Sequence, residues 1–415
     1  MYYILIDKFQ IRDGIQYQIG SNTNYDALFT TIDFLPLFLH YGELLVEIEI
    51  PIDAKISIHS NKQWKTNKFI ATKIYPISQW ELWNNPVFCL NAVKQNGLLL
   101  RFITNQTEEI CLAAINKHEF ALEFCLEQTE KICLAAVNKN GCALQFVRMQ
   151  NPKICLIAVR QNLYALKYCL DQTEEICLVA IKQDGWMIKF VKNQTPKICL
   201  EAVRKSWWVL EFVLDQTEEI CLAAVKLNGF SLKYVRYQTE EICLAAVRQD
   251  GDSLAFCLEQ TREICLAAVK QNGLALLYVR EQTQEICLVA VKQNGLALQF
   301  VLDQTDAICL AAVQENGIAL QFVLDQTNAI CLVAVTQDGW ALKFVQNQNR
   351  KICLAAVKQC GWTLQFCLDQ TDEICLAAIE QDSWSLKYVK EQTPKMCIAA
   401  FRKNKWVLQC VRDSF

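Results

Sequence analysis

From residue 86 onward the apolar and polar positions of this chain recur in one fixed pattern. Residues 284–305, "QEICLVAVKQNGLALQFVLDQT", show it: an apolar block at positions 3–8, a polar break at 9–12, a second apolar block at 13–18, then polar residues to position 22. The cysteine at position 4 recurs at residues 89, 111, 133, 155, 177, 199, 221, 243, 265, 287, 309, 331, 353, 375 and 397, always 22 apart. Fifteen such units fill residues 86–415 with no insertion or deletion. A period of this length marks a repeat array in which each unit is one supersecondary element.

The polar breaks carry the boundary signals. Asn85-Pro86, Asn151-Pro152, Thr195-Pro196 and Thr393-Pro394 place a capping residue at position 22 and a proline at position 1. That is the order of helix N-cap and first helical residue. Position 11 is Asn, Asp or Ser in most units and reads as the cap of a second helix. The Asn-Gly pair at 11 and 12 would otherwise suggest a β-hairpin turn. Position 12 also accepts Glu119, Leu163, Trp207 and Lys405, which a required left-handed residue would forbid. The prediction is therefore an α-solenoid of fifteen 22-residue αα-hairpin repeats, each with two helices of about nine residues that are too short to stand alone.

Three strongly recurring columns are read as internal packing. Alanine holds position 7 throughout, from Ala92 to Ala400, facing Phe or Tyr at position 17 in every unit but the last. Gln at position 21, as in Gln106, Gln216, Gln304 and Gln392, is expected to join backbone groups across successive turns. The cysteine column is expected to act as a small buried hydrophobe. Stacked helices lie about 8–10 Å apart, beyond disulfide reach. No CxxC pair within the array offers zinc spacing. No cofactor and no metal are expected.

Residues 1–85 lack the period and are predicted to form a small α+β N-terminal capping domain that covers the apolar edge of the first repeat. "YYILIDKFQ" and "GIQYQIGS" read as a hairpin about Arg12-Asp13-Gly14, "DFLPLFLHYG" as a short helix, and "LLVEIEIP", "AKISIHS" and "KFIATKIYPI" as strands. His40 and His59 stand in no catalytic motif.

Composition narrows the function. Apolar residues make up 53% and the net charge is -3, with basic and acidic side chains nearly balanced in the repeats. That balance argues against broad electrostatic binding of nucleic acid. The start "MYYILIDKFQ" shows no signal-peptide pattern, and no run of about eighteen apolar residues suggests a membrane helix. The triplets at Asn105 and Asn193 are read as coincidental matches to a glycosylation site. Twenty-two cysteines without an export signal point to a reducing, cytoplasmic setting. No nucleophile–base pair, phosphate loop or metal spacing is present, so no enzyme activity is expected.

The motif "ICLAAV", then "NG", then "LALQFVLDQT" resembles the repeat of a family of unknown function abundant in mimivirus-like giant viruses, over residues 86–415. "LFLHYGELLVEIEIPIDAKISIHSNKQWKTNKFI" is similar, more loosely, to the region that precedes ankyrin arrays in such viruses, although this chain has no ankyrin signature. The resemblance implies a viral source and a repeat fold, and no activity.

Function is then sought on the surface, where units differ. Positions 2, 6 and 9 form one stripe; positions 13, 16 and 20 form another with more variety. Position 13 carries Phe120, Tyr164, Trp186, Trp208 and Phe230, then Trp340, Trp362, Trp384 and Trp406 in consecutive units. Lys189, Lys343 and Lys387 lie beside them at position 16. These indoles and lysines are the candidate partner-binding residues. Two readings stand open: the indoles grip an extended segment, or each covers its own hairpin and packs on the neighbouring unit. The leading expectation is a non-enzymatic scaffold for protein–protein interaction with a host or viral protein or peptide. The alternative is a single-stranded nucleic-acid binder that reads one base per repeat.

Overall fold

A computed structural model describes residues 2–6, 11–12, 15–16, 19–39 and 42–411. The chain divides into two compact units, Met1–Ala202 and Val203–Phe415.

The first unit opens with seven strands: β1 (Tyr2–Ile6), β2 (Ile11–Arg12), β3 (Ile15–Gln16), β4 (Gly20–Thr31), β5 (Leu44–Glu49), β6 (Ile56–Ser60) and β7 (Gln63–Pro76). Five of them form one antiparallel sheet in the order β4-β1-β5-β7-β6, and β4 also pairs with β7, so four strands close on themselves. Alternation along the strands sends Ile4, Ile6, Phe29, Val46, Ile48 and Phe69 into one apolar core. β2 and β3 pair with each other as a separate two-stranded sheet among the described residues. The predicted turn residues Asp13 and Gly14 lie outside the described residues, as does His40. The segment expected to be a short helix is the single 3-10 turn Leu35–Leu37. Among the described residues before Pro86, helical backbone is limited to 3-10 turns, which makes this region β-rich.

Those turns seat the sheet on the first repeat. The Trp83 indole donates to the Ile77 carbonyl at 2.7 Å and stacks on Phe102 with centroids 5.6 Å apart. Trp80 meets Phe88 edge-on at 5.0 Å, and the Gln95 amide reaches the Asp33 carbonyl at 3.3 Å. These contacts join the N-terminal region to the first repeat.

Each 22-residue unit then folds the same way, as Glu240–Thr261 illustrates. An α-helix runs over Glu240–Gln249, positions 1 to 10, capped at its start by the Thr239 hydroxyl, which accepts from the Ile242 amide at 3.4 Å. It stops at position 11. Asp250 is extended there (φ -150°, ψ 115°); its amide donates to the Ala246 carbonyl at 2.9 Å and closes the α-helix. Its carboxylate accepts from the Asp252 amide at 3.0 Å and opens the second element, so one residue ends one helix and caps the next.

That second element differs from the expected nine-residue α-helix. It is a six-residue 3-10 helix, Gly251–Phe256, whose bonds run from i+3 to i, as from the Ser253 amide to the Asp250 carbonyl at 3.0 Å. The same six-residue form recurs in all fifteen units. Its tighter winding places positions 14 and 17, and 15 and 18, in line along the element.

The glycine at position 12 serves close approach rather than turning. Gly20 is the only described glycine with positive φ. A β-carbon built on Gly317 would stand 2.5 Å from the carbonyl of Ala334, position 7 of the next unit. Position 7 itself is fully buried along the array, Ala268 and Ala290 included, which confirms it as core.

Candidate partner-binding face

Within a repeat, the surface that can meet a partner is what remains once the internal ties are made. The position-21 glutamine makes the largest share of them. The Gln216 amide donates to the Leu210 carbonyl at 3.0 Å and the Tyr234 carbonyl at 2.9 Å, and its oxygen accepts from the Arg236 amide at 2.9 Å. Gln172 and Gln370 repeat the arrangement. One side chain thus satisfies backbone groups of its own unit and the next, as the sequence predicted.

A second glutamine column escaped sequence reasoning. At position 10, the Gln249, Gln271, Gln293 and Gln337 side-chain oxygens each accept from the position-12 glycine amide of the preceding unit at 2.6 Å. The amide needs that partner because glycine's missing side chain lets the next unit close over it. The signal in the sequence was the joint recurrence of Gln at 10 and Gly at 12.

The position-4 thiols are buried in fourteen units, and Cys397 of the last is partly exposed. Several, such as Cys155 and Cys309, point to the glutamine oxygen at 3.5 Å. Burial pushes the thiols of Cys177, Cys221 and Cys375 up to about 11. In four units a second cysteine at position 18 joins the first. Hydrogen bonding from Cys125 holds Cys111 down and raises Cys125, and Cys169 with Cys155 does the same. The thiols that burial raises, Cys177, Cys221 and Cys375 among them, are poor nucleophiles.

The predicted indoles stand on the outer side of the 3-10 helices. Trp340 packs edge-on against Phe366, position 17 of the following unit, at 5.6 Å, yet leaves 42% of its surface open. Trp362 meets Tyr388 at a tilt, with centroids 5.8 Å apart, its indole N–H donates to the Asp382 carboxylate at 2.6 Å, and 41% stays open. Trp384 is half-buried, and Trp406 is 80% exposed. In the first unit, Trp186 is half-buried between Tyr164 and Phe190. In the second, Trp208 touches Phe212. Contact with an aromatic ring of the next repeat and open surface thus coexist at Trp340 and Trp362.

The lysines divide. Lys189 lies over the Trp186 ring at 5.4 Å, whereas Lys343 lies over Phe344 at 5.7 Å and not over Trp340. Lys387 is exposed at position 16 without a ring contact of that kind among the described residues. Lys167 and Lys233 cover Tyr168 and Tyr234 at 4.6 Å. A cation over an aromatic face is partly neutralised by its own chain.

A second exposed column was hidden by the consensus. Position 19 alternates between exposed leucines, Leu126, Leu170, Leu214 and Leu258, and the cations Arg148, Lys192, Arg236 and Arg280. Each of these cations donates to the leucine carbonyl of the preceding unit, as Arg236 does to Leu214 at 2.8 Å. These leucines stand in alternate units up to Arg280 and are 58–68% exposed, and Leu302 and Leu324 then follow in consecutive units. Surface ion pairs such as Lys153–Glu130 at 2.8 Å add little.

Residues 129–173, 217–262, 239–284, 261–304 and 349–393 match the model of a domain of unknown function (DUF4116). Each match begins on a helix-capping Thr or Asn and spans two consecutive units. Over those residues the repeats are similar to a repeat family of unknown function. No curated protein and no solved structure matches the chain.

Proposed function

We propose, for a chain with repeats similar to a family with no assigned activity, a non-enzymatic scaffold that holds an extended segment of a protein partner along the position-13 face. The observation that carries this reading is the open surface of Trp340 and Trp362, each packed against an aromatic ring of the next repeat. Rigid, half-exposed indoles bury large area at low entropic cost, which is the character of binding hot spots. The near balance of charge in the repeats and the placement of Lys233 and Lys343 over their own chain's rings favour a polypeptide over a single nucleic-acid strand. Buried thiols and the likeness of the repeats to those of giant viruses support a cytoplasmic setting and a host or viral protein as the partner.

The test is a triple substitution, Trp340→Ala, Trp362→Ala and Trp384→Ala. Peptides selected from a random display library on the wild-type chain are expected to lose binding to the variant, at about 2 kcal/mol or more per central indole. The far-ultraviolet circular dichroism is expected to stay unchanged. Loss of helicity would assign the indoles to the core. Undiminished peptide binding, or salt-sensitive capture of oligo(dT) that the variant loses, would overturn the protein-binding reading.

A further inference from the structure

The N-terminal strands hold a cleft of about 430 Å³, bounded by Tyr3, Glu47, Lys73, Tyr75, Trp80 and Glu81. Its floor is dictated by register. Tyr3 on β1 pairs with Glu47 on β5, and Glu47 pairs with Lys73 on β7, so one row across three strands faces the cleft. Register shifts immediately after Glu47, and the Thr72 hydroxyl donates to the Glu47 carbonyl at 3.1 Å. Such irregularities re-aim side chains beside functional sites. The wall is the segment following β7, where Trp80 meets Tyr3 edge-on at 5.5 Å.

Glu47 is the unusual member. Only 8% of it is exposed, although a buried carboxylate normally demands a charged partner. The Tyr75 hydroxyl donates to its Oε1 at 2.6 Å. A carboxylate accepts about four hydrogen bonds. No ion pair joins it to Lys73 among the described residues, although Lys73 stands opposite in the ladder. Both tyrosines keep their protons firmly: burial first and Glu47 second push Tyr3 up, and burial with the hydrogen bond to Glu47 pushes Tyr75 up. Glu81 adds a second carboxylate at the rim.

We infer that this cleft binds an alkylammonium group, whose N–H donors meet the Glu47 carboxylate while its carbons lie against Trp80 and Tyr3. The volume is within the range of small-ligand pockets, and aromatic walls with a recessed carboxylate suit a cation with an apolar stem. The rival is an anion drawn to Lys73.

The experiment titrates the full chain with n-butylammonium, n-butanol and butyrate, three probes of one size and different charge. Calorimetry and the indole N–H resonance of Trp80 report binding. Saturable binding of butylammonium alone is expected, weakened about tenfold or more in Glu47→Gln and less in Glu81→Gln. Equal binding to Glu47→Gln, preference for butyrate, or equal response to butanol would overturn the inference. Should Glu47→Gln fail to fold, the wild-type Trp80 resonance decides by itself: no shift with butylammonium refutes the site.

Discussion

Replacing Gln216 by leucine tests the account of how the repeats hold together. The substitution keeps the bulk of the side chain and deletes three hydrogen bonds of 3.0, 2.9 and 2.9 Å to the Leu210 carbonyl, the Tyr234 carbonyl and the Arg236 amide. At about 0.5–1.5 kcal/mol net for each bond, the loss is about 2–4 kcal/mol. A tandem array does not unfold as one two-state body, so the cost is local and a single melting temperature dilutes it. Native-state hydrogen exchange is the fitting assay. The Arg236 amide is expected to exchange about ten to a thousand times faster, while amides three or more repeats away keep their rates. Gln216→Glu provides the internal control. It retains an acceptor for the Arg236 amide but sets a carboxylate against the Leu210 and Tyr234 carbonyls. Protection at Arg236 should then partly survive although the unit is destabilised. An unchanged Arg236 rate in Gln216→Leu would refute the claim that this column ties unit to unit.

Two further outcomes are expected. Ala268→Leu, at a fully buried position, lowers stability by about 1–3 kcal/mol in urea titration; an unchanged curve would remove position 7 from the core. Cys177, Cys221 and Cys375, raised from the ordinary thiol range to about 11, keep their protons in the folded chain at a pH where the unfolded chain has lost them. Their contribution is therefore complete below the ordinary thiol range and is lost as pH rises through about 11, so urea midpoints should fall across that window. A midpoint that stays flat across the window would contradict their burial.

Much of the repeat was legible because its signals are local. The capping residue at position 22 and the break at position 11 each act within three residues, and both helices begin where these residues predict. The kind of the second helix was not legible. Over six residues a winding of 3.0 and one of 3.6 per turn differ by less than half a turn, so apolar positions 14, 15, 17 and 18 fit both. The glutamine at position 10 signals its bond only through its joint recurrence with Gly at 12, because the partner is created only when the next unit closes over a glycine. The indoles at position 13 were legible as surface candidates, but whether Lys343 would choose Trp340 or Phe344 depends on rotamers that no spacing encodes. The Tyr3–Glu47–Lys73 row was invisible for a different reason. It is assembled from three strands whose register is set by tertiary pairing.

The side-chain ties from one repeat to the next reach groups only 18 to 24 residues away, as in Gln216 to Tyr234, Gly251 to Gln271 and Lys139 to Ile115. Any copy therefore offers its successor the same backbone acceptors and donors as any other copy. A gene that gains or sheds whole copies in frame yields a junction chemically equivalent to those already present, and the length of the array becomes a trait that inheritance can adjust without inventing a new contact.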